Sequence, residues 1–142
     1  MSENNSVFVS GAVKADKTIG YLEITLKYTP EVLQSPVLSR SLATLVVDKY
    51  HELSGDPAIP AAKICILKVE ATVAGSRVVQ AVAKLYGAVR AGGGRMYCVG
   101  YPDKYITSLA ALGLTGSEGF ALFDAVEKAV EQAAFDLGSR RS

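Results

Sequence analysis

Two apolar, β-branched and aromatic runs open the chain, SVFVSGAV at 6–13 and GYLEITLKY at 20–28. The polar stretch from Lys14 to Lys17 lies between them, and the pattern predicts an antiparallel hairpin. Ser35-Pro36 then predicts a helix start, with serine as N-cap and proline at the first helical position, where no amide hydrogen is missed. Leu38, Leu42, Leu45, Val46 and Leu53 follow at helical spacing, and the turn-rich SGDPAIPA ends the helix. KICILKVE at 63–70 is continuously apolar at its centre, as a strand covered on both faces must be.

In VAGSRVVQAV, 73–82, the pattern changes from strand-like to helix-like at Ser76, which stands where an N-cap is expected. Val78, Val82, Leu85, Tyr86 and Val89 share one face of that second helix, and Arg77, Gln80 and Lys84 fall on another. Arg90 suits the negative end of the helix dipole, and Gly92 to Gly94 stop it. GRMYCVG at 94–100 predicts a second central strand, 103–112 a short helix, and GFALF at 119–123 a last strand. Asp124 with Glu127 three residues on reads as a capping box opening a helix through Ala134.

The predicted order is β-β-α-β-α-β-α-β-α. Strands separated by helices need crossover connections, so the fold class is α/β with a mixed, mostly parallel sheet of about five strands covered by helices. One hairpin strand lies at an edge, and the runs 63–70 and 94–100 lie adjacent, parallel and central.

Composition narrows the function. The 142 residues suit one domain with a core over about 7–134 and short polar tails, and 49% hydrophobic with 20% charged residues excludes a disordered chain. Fifteen Lys plus Arg against 14 Asp plus Glu leave a net charge of +1, which offers nothing to nucleic acid or an anionic membrane. Arg140-Arg141 reads as a solubilising tail. No run has the length of a membrane span and MSENNS has no signal pattern, so a cytoplasmic protein is expected.

Cys65 and Cys98 lie in the apolar runs ICIL and MYCV and are expected as buried, reduced thiols. His51 has no second ligand at metal spacing, so neither a metal nor a cofactor is expected. The glycines of GGGRMYCVG precede a strand, whereas phosphate-binding loops follow one. A single histidine supplies no Ser/His/Asp set, and an enzyme is not expected.

RAGGGRMYCVGYPDKYITSLAALGL followed by FALFDAVEKAV resembles the STAS domain, the fold of bacterial anti-sigma factor antagonists. It is similar to that family's passage of Gly-Gly, strand, short helix, Gly-Leu, then Phe-Asp-x-Val-Glu-x-Ala. ITLKYTPEVLQSPVLSRSL is similar in spacing to the family's strand, acidic loop and Ala-Pro helix start, with Pro36 on its proline and Glu31 on its loop aspartate. The family's Asp-Ser-Ser-Gly or Asp-Ser-Thr-Gly signature falls on Gly75-Ser76-Arg77-Val78. The serine is kept; the aspartate and the glycine are not.

The resemblance implies a bacterial transcription regulator whose partner is an anti-sigma factor or related serine kinase. Ser76 is then the candidate phosphoacceptor, and Glu31, Gly75, Arg77, Gln80 and Lys84 are the candidate partner-binding residues. The residues alone read Ser76 as an N-cap worth about 1 kcal/mol. Both readings are compatible, because phosphate at a helix N-terminus meets free amides and the positive dipole end. The changed signature leaves a second reading open, a subunit or scaffold of a larger complex with no phospho-switch.

Overall fold

The computed structural model describes residues 7–15, 20–54, 64–71, 74–111, 113–114 and 119–141. Strands β1 (Val7–Ala15) and β2 (Gly20–Tyr28) form the antiparallel hairpin. Strands β3 (Ile64–Glu70), β4 (Arg95–Val99) and β5 (Phe120–Phe123) join β2 in parallel, giving the order β1-β2-β3-β4-β5 with β1 at an edge. Helices α1 (Pro36–Ser54), α2 (Ser76–Ala91), α3 (Ile106–Ala111) and α4 (Val126–Arg141) complete the predicted order, with short 3₁₀ turns at Pro30–Gln34 and Asp103–Tyr105.

Alternation along the strands builds two cores. Ile24 and Leu26 of β2, Cys65, Leu67 and Val69 of β3, and Met96 and Cys98 of β4 face the side packed by α1 and α2. Ile64 and Ile66 of β3, and Tyr97 and Val99 of β4, point the other way, onto Ala129, Val130 and Ala133 of α4. Residues 63–70 and 94–100 read as continuous apolar runs because β3 and β4 are covered on both faces. The Tyr97 hydroxyl donates to Asp136 Oδ2 at 2.5 Å, and Gln132 Nε2 donates to Oδ1 at 2.9 Å, so α4 is also tied down by a polar clamp.

Ser35 caps α1 as expected, its Oγ accepting from the Leu38 amide at 3.3 Å. Other local expectations are corrected. Lys14 belongs to β1 and not to a turn; it pairs with Glu23 of β2 at 3.1 Å, and residues 16–19 lie outside the described ones. Leu45 shares the helical spacing of α1 yet is 38% exposed, because α1 lies over the edge of the sheet and only Leu42 and Val46 of this turn point into the core. The capping box at Asp124 does not form. Helix α4 starts at Val126, one residue too late for Asp124 to be its N-cap, and the Asp124 carboxylate instead pairs with Lys128 at 3.0 Å. That helix also continues past Ala134 to Arg141, so Arg140-Arg141 ends a helix and is no free tail. The Asp136 clamp holds the turn that carries it on.

Cys65 and Cys98 are free and buried, and burial pushes both thiols up to about 12. Neither access nor thiolate is provided at neutral pH. Both should stay unlabelled by a maleimide in the native protein and react together on unfolding. Rapid native labelling of either would contradict the sheet order.

Candidate functional site

The first hydrogen bond of α2 runs from the Val79 amide to the Gly75 carbonyl at 3.0 Å, which makes Gly75 the N-cap and Ser76 the first helical residue. Ser76 therefore does not cap the helix. The sequence register was one residue off because Ala74 is buried in the core, and the chain enters the helix directly behind it. The consequence is chemical. The Ser76 side chain is exposed, and the amides before Val79 precede the first intrahelical bond.

Gly75 has φ −137° and ψ −171°, extended backbone that any residue adopts, and a β-carbon there would meet Leu33 Cδ1 at an ordinary 3.8 Å. The aspartate of the family's signature would fit. Val78, where that signature has glycine, is 0% exposed and fills the core between α2 and the sheet. The departures at 75 and 78 thus differ in kind: the first is permitted by the backbone, while the second supplies packing.

Leu33 belongs to the 3₁₀ turn Pro30–Gln34, so this turn lies against the start of α2. Glu31 is exposed on the same turn. Arg77, Gln80 and Lys84 are exposed on α2, and Arg77 Nη1 donates to Gln80 Oε1 at 3.3 Å. The structure thus gathers Gly75, Ser76, Arg77 and Gln80 at one helix end beside the turn carrying Glu31. Lys84 stands further along the same helix face, at i+7 from Arg77.

A second feature escaped the sequence. The chain leaves β4 toward α3, on the α1/α2 side, and leaves β5 toward α4, on the opposite side. Between these diverging connections opens a cleft of about 640 Å³ lined by Gly100, Tyr101, Pro102, Phe123, Asp124 and Lys128 among others. Open α/β sheets form such crevices at the carboxyl ends of strands, where successive connections part. No short motif marks it, because it exists only once strand order and helix side are set. The Asp124 carboxyl is held below its usual range by the Lys128 ammonium. His51 is exposed beside Tyr50, and no cluster of three or more His, Cys, Asp or Glu suited to a metal ion occurs among the described residues. No described helix is long and apolar enough to cross a membrane.

By sequence the chain matches no family model and no curated protein. By structure it is similar to a chain solved in work on the molecular architecture of the stressosome, a signal integration and transduction hub. That match has 16% identity and a TM-score of 0.59, over 89% of this chain and 98% of the other. It is also similar to an anti-sigma factor antagonist from Mycobacterium paratuberculosis, with 14% identity and a TM-score of 0.51, over 93% and 97% of the two chains. With a mixed five-stranded sheet and, among the described residues, three helices toward one face and one on the other, the chain has the fold of the STAS domain.

Proposed function

We propose that this chain is a cytoplasmic, non-enzymatic regulatory module that docks a protein partner through the exposed amino end of α2 and the adjoining 3₁₀ turn. The partner is an anti-sigma factor or related serine kinase, and phosphate on Ser76 ends the docking. One observation carries the reading: Ser76 is the exposed first residue of a 16-residue helix, placed ahead of the first intrahelical hydrogen bond. A phosphate there adds a charge of about −1.5 to −2 where helix amides and the dipole tolerate it. The domain stays folded while the docking surface changes sign.

A tagged chain recovered from its native cells should bring down a serine kinase, and the purified partner then allows a direct test. Ser76→Asp should bind it at least about tenfold more weakly. Ser76→Ala should bind at wild-type strength and resist inactivation by the kinase. Since Ser76 is no cap, Ser76→Ala should shift stability by less than about 0.5 kcal/mol. Ser76→Asp should gain at most about 1 kcal/mol from the dipole. Binding and stability are therefore separable, and wild-type binding by Ser76→Asp overturns the switch.

The second reading, an assembly subunit without a switch, is favoured by the changed residues Gly75, Arg77 and Val78 and by likeness to a stressosome chain. It predicts that both variants enter the same complex equally well.

A further inference from the structure

The two edges of the sheet are built differently. Strand β5 is four residues long. Strand β1 runs nine residues, each paired with β2 in unbroken register, with no proline and no bulge. Folded proteins blunt an exposed edge by shortness, proline, bulges or lysines, because its unpaired N–H and C=O groups template another strand. Edge β5 is protected by shortness. Edge β1 has a single lysine, Lys14, engaged with Glu23 on its own sheet.

Helix α1 does not close this edge. It lies over the inner face of β1, so near that a β-carbon on Gly11 would meet Leu53 Cδ1 at 2.7 Å and Lys49 Cγ at 2.9 Å. Gly11 is nevertheless exposed. Glycine has only backbone to expose, so the main chain at the centre of β1 is open to solvent. Phe8, 62% exposed, lies on the opposite sheet face, where α4 packs chiefly on β3 to β5 and leaves this end of β1 uncovered. Leu45 shares a helical stripe with Lys49 and Leu53, so it flanks the same edge from the α1 side.

We infer that β1 pairs antiparallel with β1 of a second copy of this chain, about a two-fold axis at Gly11, to give one continuous ten-stranded sheet. An antiparallel edge pairs with itself isologously. The register that overlaps all of Val7–Ala15 sets Gly11 opposite Gly11, Ser10 opposite Ala12, and Phe8 opposite Lys14 of the second copy. Within the paired strands no like charges face one another, and Lys49, which lies over Gly11 beside the axis, is neutralised by Glu52 of its own helix at 3.1 Å. Each exposed Phe8 ring lies under the apolar stem and ammonium of a lysine, and Leu45 meets its counterpart's stripe across the axis. Shifted registers leave part of the nine-residue edge unpaired. The pairing is independent of Ser76, since α2 packs on α1 and β4, away from this edge.

Phe8 is exposed, so its substitution leaves the single chain folded, as circular dichroism verifies. Light scattering after gel filtration at micromolar concentration should give the wild type twice the mass of one chain. Phe8→Lys sets lysine against Lys14 twice per dimer and should weaken association by about tenfold or more. Phe8→Glu sets opposite charges there and should remain dimeric. The outward-pointing amides of β1, those of alternate residues, should exchange slowly in the dimers and fast in Phe8→Lys, while the amides bonded to β2 stay protected in both. A wild type with the mass of one chain at every concentration overturns the inference, as does a dimer that responds identically to Lys and Glu at position 8.

Discussion

Leu85→Ala should destabilise the protein by about 2–5 kcal/mol. Leu85 is 0% exposed and projects from α2 into the larger core, where Leu42 and Val46 of α1 and Met96 and Cys98 of β4 also pack. Truncation removes the transfer free energy of three carbons and leaves a hole that packed neighbours only partly fill. Because α2 joins α1 to the sheet, the loss should appear in a single cooperative transition. Urea unfolding should show a lowered midpoint and an unchanged slope. A cost below about 1 kcal/mol would mean that α2 presents another face to the sheet.

Gly100→Ala should cost about as much, by a different cause. Gly100 has φ +79°, and an added β-carbon would lie 2.7 Å from the Val69 carbonyl oxygen of the neighbouring strand. The left-handed conformation alone costs a residue with a side chain about 1–2 kcal/mol. The clash is with backbone, so no side chain can rotate away, and forcing the strands apart adds about 1–3 kcal/mol. The Gly100 amide also donates to the Phe123 carbonyl at 3.0 Å, which ties the end of β4 to β5 at the floor of the cleft. Gly113→Ala is the control: its φ is +77°, but nothing among the described residues lies within 4 Å of the added carbon. It should lose only the conformational part. Equal thermal shifts for the two variants would show that the contact with Val69 contributes nothing.

Much of the fold was legible in the chain. The apolar runs at 63–70 and 94–100 required strands covered on both faces, and the helical stretch between them required a crossover, so β3 and β4 had to be parallel neighbours. Ser35-Pro36 announced α1 because capping is local chemistry, settled by a serine oxygen and an amide three residues on. The same local reasoning misplaced Ser76 and Asp124 by one residue each. Helix starts there are set by the burial of Ala74 and by the docking of Val126 and Ala129 on the sheet, which are tertiary terms. Within α1 the spacing of Leu45 matched that of its buried neighbours, and only the position of the helix over the edge of the sheet left it exposed.

Site and surface divide in the same way. Sequence singled out Ser76, Glu31 and Arg77 through residue type and family-like spacing, but their juxtaposition depends on the turn of Leu33 lying beside Gly75, which brings together segments some forty residues apart. The cleft past β4 and β5 and the open edge of β1 left no mark in any short stretch of residues. Both arise from strand order and from which face each helix covers. Local patterns thus determined which segments are strands and helices, because hydrogen bonding and side-chain periodicity act within a few residues. Only long-range packing decided which groups reach solvent, and with them where a partner can bind.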